Sequence, residues 1–254
     1  CFDGGVFDIK FFDDDQSSTQ FAVAHSNGQI AIYSIELQKI KLIKRINSES
    51  SLLTCLEMID KSILCGDSLG HLIHVKTFEN DQVDLQKIHL TKLDEQLWCI
   101  NGFRIENEKF VFVGSDDCYW RVFQFDDLCL KSTVIFTGKC NAGVTSFAYV
   151  HHENNSIVLV GSYDEQIRYY HVNLKPNLNF TLKHQLVIPG SGIWKMKINL
   201  HSDKNYFVVV SGMYSGCHII KDDCLIESIV FDTNENQEKE LIYACACNAS
   251  MKNL

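Results

Sequence analysis

The chain has 254 residues, 46% of them hydrophobic, which is enough to bury a substantial core and argues against disorder. Lysine and arginine number 23 against 32 for aspartate and glutamate, and the resulting formal charge of −9 disfavours a general affinity for nucleic-acid phosphates. No apolar run reaches the length of a membrane span and no signal peptide opens the chain, so neither a membrane protein nor a secreted one is expected.

Eleven cysteines are present, among them Cys55, Cys65, Cys99, Cys118, Cys129 and Cys140, but no C-x-x-C pair and no compact framework. Most lie inside apolar runs and read as small core residues of a protein in a reducing compartment, the cytoplasm. The first residue is Cys1 rather than methionine, so a piece of a longer protein is expected.

Taken in chain order, the predicted elements are nearly all strands, because apolar and polar residues alternate with period two and helical periodicity is almost absent. An inner strand VFDIKFF (6–12) is followed by the hairpin FAVAHSNGQIAIYSI (21–35) and an outer strand KIKLIKRI (39–46). LLTCLEMI (52–59) then precedes ILCGDSLGHLIHVKTF (63–78), and LWCINGF (97–103) precedes FVGSDDCYWRVFQF (112–125). VTSFAYV (144–150) leads to LVGSYDEQIRYYHV (159–172), and IWKMKINL (193–200) to VVSGMYSGCHII (209–220) with CLIESIVF (224–231) outside it. LIYACACNA (241–249) reads as the inner strand of a sixth unit.

Aligned on Ala24, Gly66, Gly114, Gly161 and Gly212, the hairpins recur at spacings of 42, 48, 47 and 51 residues. A period of this size with about four strands per unit is that of WD-repeat propeller blades. The expected fold is therefore an all-β, WD-repeat β-propeller forming a single domain over 1–254, with five four-stranded blades and the start of a sixth visible.

Antiparallel strand direction puts the turns between the second and third strands on the same rim as the segments leading into the inner strands. That rim gathers His25, Asp67, Trp98, Asp116, Asp117, Tyr163, Asp164, Glu165, Trp194 and Lys195, an acidic and aromatic set suited to a cationic ligand. Asp164 and Asp117 occupy the place of a turn aspartate that binds backbone amides, whereas Glu165 and Asp116 are less well accounted for by a turn. Trp194 aligns with Trp98 and Phe7, where packing and ligand contact are equally reasonable.

GDSLG (66–70) matches the G-x-S-x-G elbow, but Ser68 is followed by the strand-like HLIHVKTF rather than a helix, which argues against a nucleophile. His71 and His74 fall on opposite faces of a strand, and Cys245 and Cys247 lack nearby partners, so no metal site is expected. His151 and His152 read as part of a solvated loop.

VGSYDEQI (160–167), GSGIWKMK (190–197) and SGMYSGCHII (211–220), with EQLWCI (95–100), GSDD (114–117), AGVTS (142–146) and LIYACACNA in matching order, resemble the WD-repeat diphthine methyl ester hydrolases of diphthamide biosynthesis. The similarity covers most of the chain and is weak before residue 90; the tryptophan closing the family's inner-strand motif is Asn199 here, and its histidine ahead of AGV is Cys140. The resemblance implies a propeller of about seven blades. It also implies hydrolysis of the methyl ester of methylated diphthine on translation elongation factor 2, in the cytoplasm and without cofactor, metal, nucleic acid or membrane. The substrate's trimethylammonium group would be held by Trp194 and Tyr163, with Asp116 and Trp98 also lining the site. Asp164 or Glu165 would activate water, and Lys195 or backbone amides of GSGIW would bind the oxyanion. The competing class is a non-catalytic scaffold that binds peptides through the same rim.

Overall fold

A computed structural model of the chain describes residues 4–12, 19–50, 52–59, 62–77, 83–91, 94–105, 108–126, 130–152, 155–173, 178–202, 205–221 and 223–229. The expected sixth inner strand, with Cys245 and Cys247, lies outside these residues, as does the end of CLIESIVF. Among the described residues all twenty regular elements are strands, and no helix is long and apolar enough to cross a membrane.

The strands form five antiparallel sheets of four, each in chain order. The first holds β1 (Val6–Phe11), β2 (Thr19–His25), β3 (Gln29–Glu36) and β4 (Lys39–Asn47). The second holds β5 (Leu53–Ile59), β6 (Ser62–Asp67), β7 (His71–Thr77) and β8 (Val83–His89), and the third β9 (Leu97–Ile105), β10 (Glu108–Ser115), β11 (Tyr119–Phe125) and β12 (Leu130–Lys139). The fourth runs through β13 (Val144–His152), β14 (Asn155–Ser162), β15 (Gln166–Asn173) and β16 (Asn179–Val187). The fifth runs through β17 (Ile193–Ser202), β18 (Asn205–Gly212), β19 (Gly216–Lys221) and β20 (Cys224–Ile229). These are the blades of a WD-repeat β-propeller. His151 and His152 correct one expectation: they close β13 in a hairpin, paired with Ser156 and Asn155, rather than lying in a loop, because the strand alternation of VTSFAYV continues two residues further.

The chain divides into two compact units, one of Cys1–Asp117 with Arg121–Val134, the other of Cys118–Trp120 with Ile135–Leu254. In the first, β1 neighbours β5 and β5 neighbours β9; in the second, β13 neighbours β17. The middle strands β6 and β7 are apolar on both faces because each face meets a different blade. Ile63, Cys65 and Ile73 pack with Ala22, Ala24 and Ile30 of the first blade, while Leu64 and Leu72 point the other way onto Leu97, Val111 and Phe123 of the third. In the second unit Leu159, Ile167 and Tyr169 meet Ile193, Met196 and Val208. Trp120 is wholly buried there against Phe136, Phe147, Tyr170 and Phe180.

Every inner strand breaks register at its start, between Val6 and Asp8, Leu53 and Cys55, Leu97 and Cys99, Val144 and Ser146, and Ile193 and Lys195. The extra residue is Phe7, Thr54, Trp98, Thr145 or Trp194, so the alignment of Phe7, Trp98 and Trp194 read from the sequence is a row of β-bulges. Where the bulge holds threonine, its hydroxyl donates to the carbonyl of Leu97 (from Thr54) or Ile193 (from Thr145) in the following blade. The same register corrects the repeat by one residue. Gly66 pairs with Cys55 and Gly161 with Ser146, and the partner of the matching Lys195 is Ser211, not Gly212. Two adjacent small residues are equivalent by composition, and only cross-strand hydrogen bonds separate them.

The repeat glycine is required by packing between blades. A Cβ on Gly66 would stand 2.8 Å from Leu97 Cβ and 2.6 Å from Cys55 Sγ, and one on Gly161 would stand 2.7 Å from Ile193 Cγ2. Gly66→Ala is expected to destabilise the protein by about 1–3 kcal/mol, as overpacking does, measured as a lower midpoint in denaturant with unchanged slope.

Candidate functional site

The turns between second and third strands are tied to their own blade on the inner side in all five blades and on the outer side in four. On the inner side Ser26, Ser68, Asp116, Tyr163 and Met213 donate backbone N–H groups to the carbonyls of Gly5, Leu52, Gln96, Gly143 and Gly192, each lying just before an inner strand. On the outer side the carbonyls of Gly28, Gly70, Cys118 and Glu165 accept from Ser48, Leu90, Cys140 and Ile188. Turn and lead-in therefore share one edge of each blade, as strand direction predicts.

The outer anchor residue has a left-handed backbone in four blades: Gly28 and Gly70 at φ 78°, Cys118 at 69° and Glu165 at 65°. A side chain in this region costs about 1–2 kcal/mol, and glycine is the usual solution. In the first two blades glycine is also compelled by space, since a Cβ on Gly28 would strike Ser50 O at 1.6 Å. Glu165 thus stands where two other blades carry glycine. Its carboxylate makes no hydrogen bond or ion pair among the described residues.

Asp164, one residue earlier, is fully engaged. It accepts from the backbone N–H of Asn141 at 2.8 Å and of Gln166 at 3.2 Å, and from both terminal nitrogens of Arg168. Burial by itself raises its pKa, but the Arg168 hydrogen bonds, the Asn141 amide, the Arg168 charge and the Gln166 amide together hold the carboxyl below the usual carboxylate range. A carboxylate so stabilised is a weak base. Asp117 repeats the arrangement in the third blade with Arg121 and Ser115. The second blade reaches the same end differently: Asp67, at the register position of Ser162, accepts from the N–H groups of Leu69 and His71, the His71 ring and Ser50.

Around the fourth and fifth turns the second unit assembles an aromatic group. The Tyr163 and Trp194 rings lie 5.7 Å apart at 47°. A Cβ on Gly192 would meet both Tyr163 and Tyr214 at 3.3 Å, so this glycine, at φ 53°, lets the two tyrosines flank the backbone. The Tyr163 hydroxyl points to Met213 Sδ at 3.8 Å, and Tyr214 is 50% exposed. Trp194 is brought to this edge by its bulge, and Lys195, half-buried beside it, pairs with Ser211. Tyr163, Asp164, Glu165, Trp194 and Lys195 therefore belong to one neighbourhood. Trp98 and Asp116 form a separate group in the first unit, the indole Nε1–H donating to Asp116 Oδ1 at 3.1 Å.

Ser68 sits in a turn followed directly by β7, so no helix lifts it out of the sheet. Among the described residues no three His, Cys, Asp or Glu side chains are placed to hold a metal ion. Cys55, Cys65, Cys99 and Cys140 are buried and form no disulfide, whereas Cys224 is exposed. Burial pushes the Cys140 thiol up to about 11.

Sequence reasoning passed over a contact in the fifth turn. Ser215 Oγ lies 2.7 Å from His218 Nε2, and His218 Nδ1 lies 2.8 Å from Ser228 Oγ. In an uninterrupted strand residues three apart face opposite sides. Gly216, at φ 104°, turns the chain between them.

The chain is 27% identical over 240 residues to a curated protein of Dictyostelium discoideum named diphthine methyltransferase homolog, covering 87% of this chain and 62% of that protein. The similarity runs along most of the chain. The relative's name shares the word diphthine with the family that the sequence resembles, and differs from it in the reaction. The chain spans less than two thirds of the length of this relative. No family model matches. Among solved structures, a chain from the crystal structure of the mitotic checkpoint complex superposes with a TM-score of 0.65 at 17% identity, over 86% of this chain and 64% of that one, a likeness of fold.

The two turn carboxylates predict opposite behaviour. Glu165→Gly is expected to raise stability by up to about 1 kcal/mol by relieving the left-handed side chain. Asp164→Asn is expected to lower it. Because the folded pKa of Asp164 is depressed, its contribution is complete above the ordinary carboxylate range and is lost as pH falls through the folded value. Thermal melts of wild type and Asp164→Asn should therefore differ at neutral pH and converge in acid.

Proposed function

We propose that the protein hydrolyses the methyl ester of methylated diphthine on translation elongation factor 2, in the cytoplasm, as a step of diphthamide biosynthesis. The observation that carries the reading is the Tyr163–Trp194 pair, in the stretches on which the family resemblance rests, with Glu165 in the same turn as Tyr163 and its carboxylate unengaged among the described residues. Two tilted rings 5.7 Å apart offer π faces to a quaternary ammonium, and a carboxylate in the same turn adds charge attraction that needs no hydrogen-bond donor from the ligand. The relative named for diphthine supports the same substrate.

Within this reading Trp194 and Tyr163, joined by Tyr214, hold the trimethylammonium group, and Glu165 is its counter-ion. Asp164 organises the turn, since its lone pairs are committed to Arg168, Asn141 and Gln166. Lys195 is the cationic side chain nearest in sequence to the aromatic pair and is assigned to the developing oxyanion, where a preorganised positive charge lowers the barrier. Trp98 and Asp116 are assigned to contacts with the protein substrate through the first unit. Ester hydrolysis consumes only water besides that substrate, so the reading requires no methyl donor.

The full-length protein, incubated with elongation factor 2 carrying methylated diphthine, is expected to remove one methyl group, followed by mass spectrometry of the modified peptide. Trp194→Ala is expected to raise KM by about tenfold or more, in line with the loss of a desolvated cation–π contact of about 2 kcal/mol. Persistence of the ester at high protein concentration would sink the esterase reading in favour of a scaffold.

A further inference from the structure

The fifth turn departs from the third and fourth in its chemistry. Asp117–Arg121 and Asp164–Arg168 fasten those turns by ion pairs. Ser211, not Gly212, matches Gly161 in register, so Tyr214 stands where the fourth blade has Asp164, and His218 stands where it has Arg168. An arginine donates only, whereas a neutral imidazole accepts a proton. The backbone of this turn is already held by three hydrogen bonds, donated by the amides of Met213, Tyr214 and Ser215 to the carbonyls of Gly192, Ser191 and Gly212. Its shape therefore does not require a side-chain pair.

We propose that Ser215 and His218 are a nucleophile and its general base, placed to cleave a small ester held at the adjoining aromatic group, with Ser228 positioning the imidazole. Ser215 is half-buried and reachable, while His218 is 3% exposed and shielded from bulk water. Burial lowers the His218 pKa and so favours the neutral ring that a base must be. Ser228 lies directly across from His218 in the β19–β20 pairing, and with Nδ1–H donated to its hydroxyl, Nε2 carries the lone pair that faces Ser215. The arrangement is that of an activated serine: nucleophile, base and a third group that orients the base.

A second observation points to the same place. The hydroxyl of Ser191 is wholly buried and has no hydrogen-bond partner among the described residues. Ser191 belongs to the cluster around the pair, because a Cβ on Gly212 would stand 2.9 Å from Ser191 Cβ, 2.5 Å from Ser215 Oγ and 3.0 Å from His218 Nε2. A buried hydroxyl without a partner is costly in a fold alone and useful where a polar ligand arrives.

The chemistry balances with water as the sole co-reactant. Ser215 Oγ forms a bond to the ester carbonyl carbon as its proton passes to His218 Nε2. The carbon–methoxy bond then breaks, and that proton leaves with the alcohol as methanol. Water next attacks the acyl-serine, giving a proton to His218. The carbon–Oγ bond breaks, the proton returns to Ser215, and the free acid is released.

The identity of the ester rests on the function proposed above; the pair itself does not. The full-length protein is treated with a fluorophosphonate, which reacts covalently with activated serines, and the adduct is located by peptide mass spectrometry. One adduct is expected on Ser215, absent from Ser215→Ala and formed at least about tenfold more slowly in His218→Gln, with melting curves verifying that both variants fold. Methyl release from elongation factor 2 is expected to fall about a thousandfold or more in Ser215→Ala. Ser228→Ala is expected to lower kcat with KM unchanged, which a purely structural loss would not do. Failure to label Ser215, or wild-type methyl release by folded Ser215→Ala, would overturn the pair, the latter while leaving the esterase reading intact. Labelling of Ser215 without any methyl release would uphold the pair and overturn the choice of substrate.

Discussion

An inner strand approaches the preceding blade so closely that only glycine fits beneath it, Gly66 under Leu97 and Gly161 under Ile193. That approach leaves the strand's first carbonyl within reach of a threonine in the blade before it, Thr54 or Thr145. A strand held at its first residue and also paired along its length with its own hairpin absorbs the mismatch as a bulge. The bulge residue no longer follows the alternation of the strand, which is how Trp98 and Trp194 come to the edge occupied by the turns. Packing between blades, rather than anything at the site, thus decides where the aromatic side chains go.

The turns show the same division between frame and function. Each is tethered to its own blade by backbone hydrogen bonds, and the tether on the outer side demands a left-handed residue. Where that residue is Gly28 or Gly70, the turn is frame alone. At Glu165 the frame carries a side chain at a conformational cost, and the carboxylate is unengaged among the described residues. Asp164 next to it shows what engagement looks like, with Arg168 and two amides lowering its pKa against the effect of burial. Adjacent acids are thereby separated into one held by the structure and one unengaged among the described residues.

Neutral and ionic versions of one fastening point also diverge in chemistry. The Asp–Arg pairs of the third and fourth blades are closed circuits of charge, stable and unreactive. With Tyr214 and His218 at those positions, the fifth turn keeps a hydrogen bond, between Ser215 and His218, but leaves a proton that can move. Buried Ser191, whose hydroxyl has no partner among the described residues, belongs to the cluster around that bond, in the neighbourhood where the tyrosines flank Gly192.

Strand order, blade period, the turn edge and the alignment of Phe7, Trp98 and Trp194 were legible in the sequence, because period-two burial and turn chemistry are local and repeat five times over. The sequence also separated Asp164 from Glu165 through the turn position that each occupies. What local pattern leaves undetermined is register. Gly212 and Ser211 are interchangeable as small residues, and hydrogen bonding to Ile193 and Lys195 decides between them. Ser215, His218 and Ser228 carry no spacing signal, since alternation would set the first two on opposite faces and the third lies on another strand. Only the tertiary structure joins them, through a left-handed glycine and a cross-strand pair, because those contacts depend on where the chain returns and not on which residue follows which.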